Sequence, residues 1–461
     1  MNRIYAGRFF VVYAAVLCAL IESVSFAQPP GDPSPEFGGY ELQYPVVQVD
    51  EELLAQAGVR KLEGKHITLY TDLPSEPDVD TLPDVFDRCV PEWCEYFGLR
   101  EENHESWHMT GFYMEDRELF DRLELMPDYV INFREGYCYG KNLWAVEQEN
   151  SYRRRQLLIH EGTHGFMIHA FGSCGPPWYM EGIAEILSTF SIEEDGTVAL
   201  NVMPASTEDS PYWGRIWLIR QLVDEGEVLS IDQVIANRVV LENEDYCWVW
   251  TLGYFLDHHP RYSERFRDMA EFVRGPDFDD RFVRVMRPTE QLMREEWQLF
   301  LQELEYGHDI DQSVLDVKPG DVKPGPEAIF EVRADKGWQN SLIQVEAGRT
   351  YLVEAVGQYT VDDEPRPWAC EPNGVTMRYY KGHPYGLLLG AVRANDLPPG
   401  ETSLLTEPLA IGLRMPIISE KSGTLHFRIN ESSAEYGDNT GKLTVRVTPF
   451  AGNATVPASS P

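Results

Sequence analysis

The sequence predicts an α+β domain followed by an all-β sandwich, and three changes of pattern along the chain support this. β-rich segments come first, before about residue 147. Helical periodicity then dominates residues 152–307, and it stops at a proline- and glycine-rich repeat near residue 320. Strands followed by helices are typical of an α+β domain, whereas many short strands separated by turns are typical of a sandwich.

The first domain is predicted to span residues 64–312. Its strand-like segments are rich in branched and aromatic residues, and they are His66–Thr71, Trp107–Tyr113 and Leu143–Val146. Its helical segments combine helix formers with apolar faces, and they are Asp84–Phe97, Tyr152–Ala170, Trp178–Leu187, Tyr212–Val223, Tyr246–Leu256 and Glu290–Leu304, the last capped by Thr289. Residues 28–63 are predicted to be an extended lead-in with a helix over Glu51–Leu62.

A direct duplication separates the two predicted domains. Asp316–Gly320 is repeated at once as Asp321–Gly325, and this density of proline and glycine predicts a semi-rigid spacer over residues 313–326. The sandwich is predicted over residues 327–449, followed by a polar tail over 450–461. Its strand-like segments are short and separated by Gly, Pro and Asn, and they include Ile329–Val332, Ser341–Val345, Thr350–Val356 and Leu443–Val447.

Charge and the first residues of the chain bear on its partners and location. The formal net charge is −36, which argues against nucleic acid and anionic membranes as partners. Arg3 and Arg8 flank an apolar run, and Ser25–Ala27 fits a small-residue cleavage site, so residues 1–27 are predicted to be a signal peptide. A retained anchor is the alternative, although the run is short for a membrane span. We therefore expect a secreted, periplasmic or cell-surface protein without a membrane span after cleavage.

Export would permit disulfides. Six cysteines follow the predicted cleavage site, and five of them fall in the first domain, so at most two pairs fit there. Cys138 with Cys174 is the pair that we expect. None of the cysteines has the spacing of a zinc finger.

The residues that indicate chemistry lie on two consecutive predicted helices. His160, Glu161 and His164 form the sequence H-E-x-x-H, in which both imidazoles share one helical face and can bind one metal ion. Glu161 then lies beside the metal, where a general base for water is needed. A short Gly/Pro turn can fold the next helix back and bring Glu181 to the same ion. Two His, one Glu and a water are the usual ligands of catalytic zinc.

Glu185 lies four residues after Glu181 on the same helical face. It is the natural acceptor for the outer N–H of a metal-bound histidine, with His160 the expected donor. A solvated surface carboxylate is the alternative for Glu185. For the ligand set, the alternative is two core histidines and an unrelated glutamate, and the agreement of three spaced elements favours zinc over it.

This arrangement resembles the gluzincin metallopeptidases, the superfamily of thermolysin and the zinc aminopeptidases. It is most similar to the bacterial peptidase MA-like proteins, in which H-E-x-x-H is followed by P-x-W-x-x-E-G-x-A. The residues that match this phrase are Pro176, Trp178, Glu181, Gly182 and Ala184. The resemblance covers roughly Gly64 to Asp309 and implies a thermolysin-like zincin fold. It also implies that an edge strand, here Leu143–Val146, binds the substrate backbone by strand addition.

Carried over by position, the resemblance implies that His160, His164 and Glu181 bind zinc and that Glu161 activates water. The gap between the ligands is a little shorter than in the best-known members. The Gly-x-Met-x-Asn strand of zinc aminopeptidases is absent, so aminopeptidase activity is not expected. The metzincin pattern fails as well, because Met167 stands where that pattern needs Gly.

An oxyanion donor is also needed. Peptidase MA-like proteins have a Tyr-x-x-x-Trp-x-Leu helix after the zinc helices, which makes Tyr246 the candidate; the alternative is that Tyr246 is a core aromatic. His258 and His259, at the end of the same helix, are alternative donors or helix caps. Five other histidines lack metal-like spacing and are expected to be structural: His66, His108, His169, His308 and His383.

The predicted sandwich has an oxygen-rich turn, Asn430–Gly441, before its last strand, and hard cations such as calcium prefer oxygen ligands. The turn resembles the calcium loop of the bacterial galactose-binding lectin PA-IL, whose N-D…Y-G-N-N-S-G string matches here as N-E…Y-G-D-N-T-G. The resemblance covers about Glu327 to Val447. A plain Asx-rich turn is the alternative.

By position, this second resemblance implies Ca²⁺ bound by the side chains of Glu431, Asp438 and Asn439, with the carbonyls of Glu435 and Val361. Glu431 replaces a shorter Asp of the lectin. Carbohydrate is the partner that such a domain implies, although only His383 aligns, loosely, with the sugar-contacting residues.

These features together predict a secreted zinc-dependent metallopeptidase that acts on a peptide or protein substrate and carries a lectin-like domain. One alternative is a non-catalytic surface or glycan-binding protein built on a peptidase-like scaffold. Another is a zinc hydrolase of a non-peptide amide.

Overall fold

A five-stranded mixed sheet and a set of helices form the first part of the computed structural model, which describes residues 44–45, 47–193, 195–239, 242–363 and 366–450. The predicted signal peptide, the start of the lead-in and nearly all of the polar tail lie outside the described residues. The strands of the sheet are β1 (Arg60–Glu63), β2 (Ile67–Thr71), β3 (Met109–Met114), β4 (Gly136–Tyr139) and β5 (Asn142–Val146). Their order is β1-β2-β3-β5-β4, with β2, β3 and β5 parallel and both edge strands antiparallel to their neighbours.

The helices of this part follow and flank the sheet. They are α1 (Glu51–Gln56), α2 (Pro77–Asp80), α3 (Leu82–Tyr96), α4 (Arg117–Arg122), α5 (Ser151–Phe171), α6 (Pro177–Leu187), α7 (Arg215–Asp224), α8 (Ile231–Ala236), α9 (Asn243–His258), α10 (Ser263–Arg267), α11 (Phe278–Met286) and α12 (Glu290–Glu303). A hairpin of β6 (Phe190–Ile192) and β7 (Val198–Leu200) follows α6. None of the described helices combines the length and apolar character needed to cross a membrane.

Small residues let the central helix α5 approach its neighbours closely. A Cβ on Gly162 would lie 2.5 Å from the ring of Phe86 in α3, and one on Gly165 would lie 2.4 Å from the Met109 side chain in β3. Likewise, a Cβ on Gly182 of α6 would lie 3.1 Å from a backbone oxygen of α9. Because of these close contacts, α5 packs tightly between the sheet and the neighbouring helices, and the H-E-x-x-H segment is buried.

Most predicted elements agree with the structure, and the exceptions have physical reasons. The helix predicted over Glu51–Leu62 ends early, because Gly58 adopts a left-handed conformation and the next residues pair with β2 as β1. Thr289 precedes α12 but does not cap it, since its hydroxyl donates to the Met286 carbonyl instead. Strand β4 was not predicted.

The second part is an all-β region of two sheets with a shared apolar core. Its strands are β8 (Ala328–Arg333), β9 (Gln339–Val345), β10 (Thr350–Val356), β11 (Tyr359–Thr360), β12 (Ala369–Cys370), β13 (Asn373–Tyr380), β14 (His383–Ala394), β15 (Leu409–Ala410), β16 (Arg414–Ile418), β17 (Gly423–Ile429) and β18 (Thr440–Pro449). One sheet has the order β12-β11-β18-β10-β16, with β8 also on β18; the other has β13-β14-β17-β9, with β15 also on β14. The chain therefore has an α+β part and a β part, as predicted.

The duplicated segment of the predicted spacer makes hydrogen bonds to the β part. Leu315 is buried, and the Asp316 carbonyl accepts hydrogen bonds from Asn340 and His426 of the β part. Val322 forms a parallel bridge with Ile343. These backbone hydrogen bonds attach the segment to the sheet beside it, although none of residues 316–325 is fully buried.

Helix α12 joins the two parts. Arg393 donates to the buried Glu295 from Nε and Nη2, at 2.9 and 2.8 Å, and Arg428 donates to the buried Glu303. An apolar cluster fills the same junction, and it comprises Leu299, Leu315, Trp338, Leu387, Leu389, Ala391 and Leu405. Two ion pairs to buried carboxylates and a shared apolar cluster tie α12 to the β part.

Candidate metal centre

The two helices that hold the candidate ligands are fixed at the turn between them. The side chain of Asn150 caps α5 by accepting from the Arg153 amide at 2.9 Å. Gly172, with φ 76°, ends the helix in the left-handed conformation. Pro177 opens α6 five residues later, and α6 returns along α5, so that Glu181 faces the imidazoles of the preceding helix.

The three predicted ligands converge. His160 Nε2 lies 3.2 Å and His164 Nε2 lies 3.5 Å from the same oxygen, Glu181 Oε2. Ligand atoms bound at about 2.0–2.2 Å in a tetrahedron lie about 3.3–3.6 Å apart, so these separations fit a zinc ion. Each of the three side chains is buried. Burial opposes ionisation of Glu181, but the two imidazoles lower its pKa to about 2.

Glu161 lies beside these three residues, on the side that faces the edge strand β4. A Cβ on Gly136 of β4 would lie 2.3 Å from Glu161 Oε1, so the backbone of the edge strand touches the carboxylate. Glu161 is 5% exposed, and burial raises its pKa. A carboxylate with a raised pKa is a stronger proton acceptor, which is what a general base requires.

Glu185 contacts His160 on the side away from Glu181. Its Oε1 lies 3.3 Å from His160 Nδ1, and Arg215 of α7 binds the same carboxylate from Nε at 2.9 Å and Nη2 at 3.2 Å. Burial opposes ionisation of Glu185, but Arg215 and then His160 hold its pKa well below the ordinary value. Glu185 is therefore a buried anion at the outer nitrogen of His160, not a surface carboxylate.

Tyr246, near the start of α9, lies close to His160 and Arg215. Its ring centroid is 6.2 Å from that of His160, and the Arg215 guanidinium stands over its ring at 5.6 Å. Burial and the nearby carboxylates, Glu181 first among them, raise the pKa of its phenol, so the hydroxyl keeps its proton. His258 and His259, the alternative donors, instead contact Asn201 and Glu296 respectively.

The predicted substrate-binding strand is corrected by the sheet order. Leu143–Val146 lies within β5, which pairs with β3 on one side and β4 on the other, so it is not an edge. The edge beside Glu161 is β4, and within the described residues its one strand partner is β5. Cys138, on β4, is a free thiol, as is Cys174, so the predicted pair is not bonded.

The predicted calcium ligands are only partly brought together. Glu431 is fully buried and accepts hydrogen bonds from the Tyr385 hydroxyl and, at 2.5 Å, from Asn439 Nδ2. The extra methylene of Glu431 relative to Asp lets it reach these partners. Asp438 instead clusters with Asp362 and Asp363. The structure thus places Glu431 against Asn439, and Asp438 beside two further aspartates; calcium binding by the expected set of Glu431, Asp438 and Asn439 stays a prediction.

Two oxygens next to that cluster have no partner. Asp438 Oδ1 and Asn439 Oδ1 are both buried, and neither has a hydrogen-bond partner in the described part of the chain. Burial and then the two neighbouring aspartates raise the pKa of Asp438. Buried unpaired oxygens beside like charges are what a bound cation would satisfy.

Comparison with known proteins adds little to this geometry. No protein-family model matches the chain, and no curated protein matches it. Among solved structures, a chain described as "EclA N-terminal domain; PllA-like lectin" is similar at 16% identity, with 26% of this chain and 95% of that chain covered and a TM-score of 0.20. A TM-score this low supports no assignment of fold or function.

Three residues of these sites were not expected from the sequence. Arg215 lies thirty residues after the carboxylate that it binds, and Asp362 and Asp363 lie far from the turn that they join. No local spacing relates them to the motifs. A weak signal for β4 exists in the Tyr137–Tyr139 run before Gly140, a glycine with φ 65° that suits a hairpin turn.

Proposed function

We propose that this chain is an exported zinc-dependent metallopeptidase with a thermolysin-like first domain. The observation that supports this most is the approach of two imidazole nitrogens to one Glu181 oxygen, at 3.2 and 3.5 Å, with Glu161 beside them. His160, His164 and Glu181 would hold the ion and leave its fourth position to solvent. The H-E-x-x-H spacing supplies the base at the side where that solvent would lie.

Zinc, when bound, would supply a Lewis acid that acidifies the attacking water and polarises the scissile carbonyl. Glu161 would accept the proton of that water through Oε1 or Oε2 and then deliver it to the departing amine. The phenol of Tyr246 would donate a hydrogen bond to the developing oxyanion. Glu185 and Arg215 would orient His160 from behind.

An extended peptide is the substrate shape that this arrangement favours. Strand β4 offers an edge next to Glu161, and its Gly136 lets backbone approach the carboxylate. An added strand would make main-chain hydrogen bonds with β4 and bring one of its peptide bonds to the metal group.

The test is the substitution Glu161→Gln, measured by bound zinc and by digestion of a broad peptide library read by mass spectrometry. We expect stoichiometric zinc in both proteins and a loss of hydrolysis of about 10²–10⁴-fold in the variant. Glu118→Gln, at an exposed position of α4, is the matched control and should change neither quantity. Unchanged turnover in Glu161→Gln would remove the mechanism.

The same measurements separate the alternatives. A protein that binds zinc and cleaves small amides but no peptide would be a non-peptide amidase. A protein that binds no zinc and is retained on a glycan affinity column would be a binding protein on a peptidase-like scaffold.

We further propose a calcium ion in the β part, held by Asp438 with Asp362 and Asp363. The unpaired oxygens of Asp438 and Asn439 support it, and so does the crowding of three carboxylates. Calorimetric titration with Ca²⁺ tests this, with Asp438→Ala as the variant and Asp335→Ala, which lies in a surface ion pair, as the control. Equal binding by all three proteins, or by none, would refute the site. Carbohydrate binding through this ion is a further proposal, tested by a glycan-array assay run with and without chelator.

A further inference from the structure

A continuous row of aromatic side chains crosses the mixed sheet from β2 to the edge strand β4. The sheet register places four residues opposite one another, and in order they are Tyr70, Phe112, Trp144 and Tyr137. Their ring centroids are 5.9, 5.7 and 6.1 Å apart in this order, with interplanar angles of 21°, 20° and 28°. These four residues form one stack of rings across four strands, which we call the aromatic stack.

The two ends of the aromatic stack differ. At β1 the row is closed by Lys61, which lies opposite Tyr70. At the other end, Tyr137 has no strand beyond it within the described residues, because β4 is the edge of the sheet. Tyr70, Phe112 and Trp144 are buried, whereas Tyr137 is only partly buried. The aromatic stack thus ends, partly exposed, at the open edge.

Two more rings lie next to Tyr137. Phe133, from the segment before β4, and Tyr139, on β4 itself, have centroids 6.1 and 6.5 Å from that of Tyr137, both at 15° to it. Successive side chains of a strand point to opposite faces, so Tyr137 lies on the face away from Gly136, which approaches Glu161. A strand added to β4 would therefore turn one side chain towards Glu161 and the next one towards the aromatic stack.

We propose that Tyr137, with Phe133, forms a subsite for an aromatic side chain of an extended peptide added to β4. The new ring would continue the aromatic stack, and a cross-strand aromatic pair stabilises the bound peptide beyond simple burial. This inference rests on the proposed function, since it takes the substrate to be an extended peptide on β4. It names the substrate class as peptides with an aromatic residue within about two residues of the scissile bond.

Peptide binding to Glu161→Gln tests the subsite without cleavage of the probe. The probes are fluorescent peptides of the form Lys-Thr-Thr-X-Thr-Thr-Lys, in which X is Phe, Leu or Ala, and affinity is measured by anisotropy. We expect the Phe peptide to bind about 5–10-fold more tightly than the Ala peptide, with the Leu peptide between them, because only Phe adds ring stacking to apolar burial. This comparison needs no further protein variant.

Tyr137→Val, made in Glu161→Gln, removes the ring and keeps a residue that favours strands. It should bring the ratio of the Phe and Ala affinities to within about 2-fold of one, whereas Tyr137→Phe, which keeps the ring, should leave the ratio unchanged. Tyr379→Val is the matched control, because Tyr379 is an exposed tyrosine on β13, an edge strand of the β part. The ratio compares two peptides on one protein, so a general loss of stability does not change it.

Three results would overturn the subsite: a ratio near one in Glu161→Gln, a ratio that survives Tyr137→Val, or an equal loss of the ratio in Tyr379→Val. Digestion of the peptide library by the unsubstituted protein separates the subsite from the proposed function, and we expect Phe, Tyr and Trp to be enriched at one position near the cut. Cleavage without this preference would refute the subsite and leave the peptidase. Selective binding of the Phe peptide without any cleavage would refute the peptidase and leave the subsite. A protein that neither cleaves nor binds these peptides would refute both.

Discussion

Arg215 binds both oxygens of Glu185, with Nε 2.9 Å from Oε2 and Nη2 3.2 Å from Oε1. Both side chains are buried, and Glu185 also contacts His160 Nδ1. The pair therefore connects α7 to the candidate metal centre. The guanidinium also stands over Tyr246, so one cation contacts two of the groups that surround His160.

Removing this cation should destabilise the fold. In Arg215→Met, the Glu185 carboxylate would remain buried without its main partner, and loss of one member of a buried pair costs about 3–5 kcal/mol. Urea unfolding in chelator measures the free energy, and Arg294→Met, which breaks a partly exposed pair with Asp232, should change it by less than about 1 kcal/mol. A second substitution, Glu185→Gln, should recover part of the loss in Arg215→Met. Equal effects of Arg215→Met and Arg294→Met would contradict this account.

Gly136 is predicted to set the position of the candidate base. In Gly136→Ala, the new Cβ would lie 2.3 Å from Glu161 Oε1, so either the carboxylate or strand β4 must move. Because misplacement by about 1 Å can cost about 100-fold in rate, we expect kcat to fall by about that factor while bound zinc stays stoichiometric.

Gly325→Ala is the control for this change, since nothing lies within 4 Å of a Cβ at that position. It should alter neither kcat nor zinc content. If Gly136→Ala retained full kcat, the close approach of β4 to Glu161 would have no part in the reaction.

The parts of the site that follow from local geometry could be predicted from the sequence. His160 and His164 share a face because they lie four residues apart on one helix, and Glu181 returns because the short turn after Gly172 folds α6 back along α5. The parts that depend on tertiary contacts could not. Arg215 reaches Glu185 across the packing of α7, and nothing in its own neighbourhood marks it as a partner.

The edge strand illustrates the same limit within the fold. Leu143–Val146 has a recognisable apolar strand pattern, because β5 is buried between two other strands. The true edge, β4, is half-buried along its length and has no alternation to detect. A sequence pattern reports burial, so it favours the interior strand over the edge strand that lies beside Glu161.

The α+β part and the β part should unfold together, because α12 joins them. Arg428 and Glu303 are both buried, so Arg428→Met would leave Glu303 uncompensated and should destabilise the protein by about 3–5 kcal/mol. Calorimetry should show one transition for the unsubstituted protein, because α12 and the apolar cluster belong to both parts. Lys421→Met, at an exposed pair with Glu401, is the control and should leave the midpoint nearly unchanged. Two separate transitions in the unsubstituted protein would mean that the junction does not couple the parts.

Glu431 should make stability depend on pH between about 4.5 and 7. Burial raises its pKa from 4.5 to about 7 in the folded protein, so the folded state keeps a proton that the unfolded chain has lost. The stabilising contribution is therefore complete below pH 4.5 and is lost as pH rises to 7. At about 1.4 kcal/mol for each unit of pKa, the total change is on the order of 3 kcal/mol. Glu431→Gln, which does not ionise, should lack this loss. Urea unfolding of both proteins at pH 4.5 and 7.5, in chelator so that no divalent cation competes for the carboxylate, gives the difference between them. If the unsubstituted protein and Glu431→Gln differ in unfolding free energy by the same amount at both pH values, the pKa of Glu431 is not raised in the folded protein.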